Sequence, residues 1–188
     1  MYETVEEANE KAYQYIGLFE VNFQKIVYQL QLLIKLTFNS LGPERIHIIE
    51  IFFANRTAND IAELARGIFN QTYKPEKEEK AISAKLFKDI IEFIPKRNDL
   101  IHGFWHIGFT HEGQTDFSEI GYENIKRKKD GVLSVYDNKK IEHIKTEAET
   151  AYKLASEVFQ LNMFFLLGYK SRDVPISLAD YIEKEAFI

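Results

Sequence analysis

Over roughly residues 3–39 apolar side chains recur at the three-and-four spacing of an α-helix: Ala12, Ile16, Phe19, Phe23, Ile26, Val27, Leu30, Leu33 and Ile34. No proline interrupts this run, and Glu3, Glu6 and Glu7 put negative charge where a helix N-terminus favours it. In its second half the apolar residues cover more than one stripe, which predicts burial on several sides. Leu41-Gly42-Pro43 ends the element. Residues 45–54 carry Ile46, Ile48, Ile49, Ile51, Phe52 and Phe53, a short run compatible with strand or helix, of which helix is the preferred reading. Thr57 as N-cap, with Asp60 three positions on as a loose capping box, opens a third helix over 57–73. After Lys74-Pro75 a fourth pattern opens at Glu76, Glu78 and Glu79 and continues through Ile82, Leu86, Ile90 and Phe93 to Pro95, expected to kink it or to begin a new helix.

The period changes after His102-Gly103. Phe104, His106, Gly108 and Thr110 alternate with Trp105, Ile107 and Phe109, and residues 131–136 (Gly-Val-Leu-Ser-Val-Tyr) read as a second strand behind the Asp130-Gly131 turn. The two runs are candidates to pair as a small hairpin-like insertion between helices, a pairing the sequence leaves open. Residues 141–169 return to a helical period, with Ile144, Ala148, Ala151, Leu154, Ala155, Val158, Leu161 and Phe165 on one face and Gly168 near the end. The tail, 171–188, holds Pro175 and has room for one short helix. No internal repeat or low-complexity segment is visible. The predicted fold class is mainly all-α, a single domain over residues 1–188 with a small β-hairpin-like insertion around 104–136.

Composition narrows the functional classes. A chain of 188 residues with 45% hydrophobic and 28% charged residues is globular rather than disordered. Fifteen Phe and ten Tyr imply a bulky aromatic core, with apolar surface to spare for an interface. There is no cysteine, which excludes disulfides and thiolate metal sites and suits a reducing cytoplasm. Residues 1–10 are acidic rather than signal-like, and no span reaches the roughly 18 to 20 apolar residues of a membrane helix. The formal net charge of −5 argues against a surface built for nonspecific nucleic-acid binding, while leaving room for a local basic site.

One segment carries chemistry: residues 97–105, Arg-Asn-Asp-Leu-Ile-His-Gly-Phe-Trp. Asn98 and His102 are four apart and share a helix face, whereas Arg97 and His102, five apart, sit about 140° from each other on an ideal helix. One chain is therefore expected to aim them differently, and two copies across a two-fold axis to gather two of each residue in one cleft. A histidine with an ordinary pKa near 6.5 moves protons at neutral pH. An arginine offers forked donors to phosphate oxygens, and Asn98 can orient either group. The three residue types together suit RNA cleavage without metal. Taken singly, Arg97 and Asn98 also suit the end of a helix, and His102-Gly103 suits a helix stop.

The string from Arg97 through His102, with Asn directly after Arg and Gly directly after His, resembles the Arg-x4-6-His motif of the HEPN superfamily, the higher eukaryotes and prokaryotes nucleotide-binding domains. That resemblance implies an antiparallel helical bundle acting as a homodimer, with Arg97, Asn98 and His102 catalytic. It implies a metal-independent endoribonuclease with an RNA substrate, of toxin or phage-defence type, cytoplasmic, and restrained by an antitoxin or other protein partner. The second reading is a non-catalytic helical module that binds a nucleotide, RNA or a protein. The insertion at 104–136 is not part of the minimal bundle. Lys126, Arg127, Lys128 and Lys129 form the strongest positive cluster, either a solvated loop or a loop that tracks phosphates toward the cleft. His102, His106 and His111 have no carboxylate at a recognised ligand spacing, so neither metal nor cofactor is expected.

Overall fold

The computed structural model describes residues 4–38, 44–73, 77–102, 104–107, 119–128 and 131–168. Among the described residues five helices and three strands follow in order: α1 (Val5–Phe38), α2 (Glu44–Phe53), α3 (Ala58–Tyr73), α4 (Lys77–His102), β1 (Phe104–Ile107), β2 (Glu119–Lys128), β3 (Gly131–Lys140) and α5 (Ile141–Gly168). Helices packed on one another make up most of the fold. None of the described helices is long and apolar enough to cross a membrane.

Local chemistry explains the helix starts. Thr4 caps α1, its hydroxyl accepting the Glu7 amide at 3.1 Å, and Glu6 and Glu7 fill the acidic first turn. At α3 the capping box is reciprocal: the Thr57 amide donates to Asp60 Oδ2 at 3.1 Å and the Asp60 amide donates to Thr57 Oγ1 at 3.2 Å. The β-branched run at 45–54 is helical, as α2. Its Ile48, Ile51 and Phe52 remain exposed, with the Arg56 guanidinium 4.3 Å from the Phe52 ring centre.

The described contacts divide the chain into two units, which α1, α4 and α5 each traverse. The first comprises residues up to Phe23 and 95–152. Its core is Ala8, Ala12, Phe19, Phe23, Leu100, Ile141, Ile144, Ala148 and Ala151. The second comprises 24–94 and residues from Lys153 on. Here Leu30, Leu33, Ile34, Phe69, Phe87, Ile90, Val158 and Leu161 are fully enclosed, and Phe69 lies 6.1 Å from Phe87 between ring centres. Asn162 Nδ2 pins α5 to α1 inside this unit through the Gln29 backbone oxygen at 2.9 Å and its Oε1 at 2.8 Å. Of the apolar face read along α5, Ile144, Ala148, Ala151, Leu154, Ala155, Val158 and Leu161 are buried, and the Phe165 side chain lies outside what is described.

Of the two alternatives for Pro95, a kink or the start of a new helix, the second is excluded, because α4 runs through it. Pro95 lies inside the helix with its side chain exposed, and buried Phe93 and Ile94 before it and Leu100 after it hold the helical course. Packing on both sides outweighs the roughly 3 kcal/mol that an interior proline costs. The two strand-like runs do not pair with each other. A strand between them, β2, pairs antiparallel with both, in the order β1-β2-β3, with Trp105 opposite Tyr122 and Tyr122 opposite Asp137. The polar and charged content of 119–128 hid it, because backbone pairing needs no apolar alternation. Gly103, residues 108–118 with His111, Lys129-Asp130 and the tail 169–188 lie outside the described residues.

Two carboxyls of the second unit respond to pH in opposite senses. The Thr57 amide and hydroxyl hold Asp60 below its ordinary range, so the stability it adds is present above about pH 4 and lost as pH falls through its folded value. Thr57→Ala is expected to cost about 1 kcal/mol in urea unfolding at neutral pH and to flatten that acid loss. Burial pushes Glu157 above its ordinary range; Lys153 opposes this, Asp89 adds to it and Lys85 opposes it. Its contribution is therefore fully present at low pH and disappears as pH rises through the folded value. Glu157→Gln is accordingly expected to raise the melting temperature at pH 7, with the gain vanishing toward pH 4.

Candidate functional site

The candidate residues belong to the first unit, where the end of α4 lies against α1. On α1, Glu20 and Phe23 are three residues apart and so share a flank. Arg97 reaches both. Its Nε donates to Glu20 Oε2 at 3.2 Å and its Nη2 donates to Glu20 Oε1 at 3.1 Å, a side-on fork with one oxygen per nitrogen. The Arg97 Cζ stands 5.8 Å from the Phe23 ring centre, at the outer limit of a cation–π contact. Relative exposures of 22% for the Arg97 side chain and 29% for Glu20 place the pair between the surface and the interior, where water screens it incompletely.

The third nitrogen, Nη1, faces the end of the helix. It lies 3.5 Å from Asn98 Oδ1 and 3.4 Å from His102 Nε2. Both distances are at the long edge of hydrogen bonding, so these contacts are looser than the Glu20 fork. The expectation that one chain would aim Arg97 and His102 apart is therefore corrected. The 140° between their Cα positions describes the helix axis, whereas a long arginine side chain swings its guanidinium across that angle. Asn98 and His102 are both exposed, in the last turn of α4, where a helix end favours positive charge.

Neighbouring links fix this corner. Lys96, beside Arg97, donates from Nζ to both oxygens of Glu147 on α5, at 2.9 and 3.0 Å. Asn22, two residues after Glu20 and buried, donates from Nδ2 to the Ala148 carbonyl at 3.2 Å. Together with the Arg97–Glu20 fork these join α1, α4 and α5 in pairs. A groove between α1 and α5 of the same unit is lined by Tyr15, Leu18, Asn22, Ala148 and Tyr152, and none of the candidate residues borders it.

The basic cluster lies apart from a loop. Lys126, Arg127 and Lys128 end β2, in register with Leu133, Val132 and Gly131, while Lys129 lies outside the described residues. Sequence reasoning missed Glu20. One acidic residue in a helix with several others carries no local signal, and only a contact across 77 positions reveals its role.

Arg97→Ala would leave the Glu20 carboxylate without its fork. The expected loss is roughly 1–3 kcal/mol, between exposed and fully buried ion pairs. In a double-mutant cycle read by urea unfolding, Glu20→Ala should cost much less once Arg97 is gone; strictly additive losses would show that the two are not coupled.

The chain matches no protein-family model, no curated protein and no solved structure.

Proposed function

We propose that this chain is a metal-independent endoribonuclease of HEPN type that works as a homodimer in the cytoplasm, as a toxin or phage-defence effector restrained by a protein partner. The observation that carries the reading is the approach of Arg97 Nη1 to His102 Nε2 and Asn98 Oδ1 within one chain, a cation and an imidazole beside each other at an exposed helix end. In RNA cleavage His102 takes the proton of a ribose 2′-hydroxyl. The freed oxygen bonds to phosphorus, and the bond from phosphorus to the 5′-oxygen breaks. Arg97 balances the charge that builds on the phosphate oxygens, and Asn98 orients the phosphate or the ring. The leaving oxygen needs a proton as well, and one imidazole cannot be base and acid in the same step. A second copy of the chain supplies the second imidazole, which is the chemical reason for a dimer. Lys126, Arg127 and Lys128, with Lys129, are assigned to backbone phosphates of the RNA.

The Glu20 fork favours a second reading. It occupies the Nε and Nη2 donors that would otherwise brace the charge of a reacting phosphate, which weighs toward a non-catalytic helical module that binds a nucleotide, RNA or a protein partner through other groups. Purified dimer incubated with RNA in EDTA separates the two. The nuclease reading expects cleavage in EDTA and a fall of about 10²–10⁴-fold in His102→Ala. Because His102 is exposed, this variant should keep the wild-type melting temperature. No cleavage by the wild type, or equal cleavage by His102→Ala, rejects the nuclease.

A further inference from the structure

The planar guanidinium of Arg97 has five N–H donors, and the way they are shared out determines which way it faces. Glu20 accepts at two different nitrogens, Nε and Nη2, with a separate oxygen for each. A planar group held at two points along one edge has little freedom to turn. Its opposite corner, Nη1, is then directed at Asn98 Oδ1 and His102 Nε2. The Phe23 ring, 5.8 Å from Cζ, stands beside the same group.

This arrangement has a consequence for the histidine. An arginine nitrogen only donates, so a hydrogen bond from Nη1 across this contact requires His102 Nε2 as its acceptor. The tautomer that meets this requirement carries its proton on Nδ1 and its lone pair on the Nε2 edge, toward Arg97. We propose that Glu20 is a positioning residue of the candidate site: by anchoring Arg97 it holds Nη1 against His102 and selects the imidazole tautomer whose basic nitrogen is Nε2. The effect on turnover rests on the nuclease reading above, whereas the choice of tautomer is a property of the resting chain. When RNA binds, the long 3.4 Å contact yields. The 2′-hydroxyl takes over the Nε2 lone pair and a phosphate oxygen takes over Nη1, while the fork to Glu20 stays in place.

The test combines imidazole ¹⁵N spectra with kinetics on the full chain, the His102 signal being identified by its loss in His102→Ala. In the wild type His102 should be the Nδ1–H tautomer. In Glu20→Ala it should move toward the Nε2–H form that a free histidine side chain prefers. Glu20→Gln keeps the side-chain volume and one acceptor, guarding against loss of fold, and should lie between, with Glu20→Asp restoring most of the wild-type spectrum. For cleavage, Glu20→Ala should lower kcat by about 10²-fold, the effect of a small misplacement, while KM stays level or falls because a carboxylate beside the phosphate has gone. An unchanged His102 tautomer in both Glu20→Ala and Glu20→Gln would overturn the proposal. A tautomer that shifts in a protein that cuts no RNA would uphold Glu20 as the positioning residue and reject only the nuclease.

Discussion

Arg97 has more donors than any one partner can accept, and Glu20 determines how they are divided. The carboxylate lies on α1, 77 residues earlier in the chain, and takes the two nitrogens along one edge of the guanidinium. What remains for chemistry is the opposite corner, directed at the last turn of α4. The same contact offsets the positive charge locally. A phosphate approaching one copy of the chain therefore meets a cation already paired, in a molecule with a net charge of −5.

The rest of the first unit keeps the pair in register. Lys96 ties α4 to α5 through Glu147, and Asn22 ties α1 to α5 through the Ala148 carbonyl. Lys96 and Asn22 each lie within two residues of a member of the fork along the chain, so a shift of any one helix would strain two of the three links. Pro95, two residues before Arg97, removes one backbone donor from α4. Leu100, buried between Arg97 and His102 in sequence, anchors the turn that presents both.

Much of the helical framework was legible because its signals are local. Helical spacing marked the buried residues of α1 and α5, and Thr57 with Asp60 marked the start of α3. The residues of the candidate site stood out through their spacing alone. Their geometry did not, since a helical wheel places Cα atoms and says little about the end of a flexible arginine. The strand β2 was hidden by its charged composition, and Glu20 by being one glutamate among many.

The order of helices, the Thr57 cap and the presence of an arginine, an asparagine and a histidine at one helix end follow from the sequence by itself, because each depends on residues within a few positions of one another. Tertiary structure alone decided that Arg97 meets Glu20 and Phe23, that its free corner turns to His102, and that β2 joins β1 to β3. The physical reason is that a side chain with several donors, or a strand with unpaired amides, is indifferent to its own neighbours. It takes its orientation from whichever distant acceptor the packed helices and strands bring within reach.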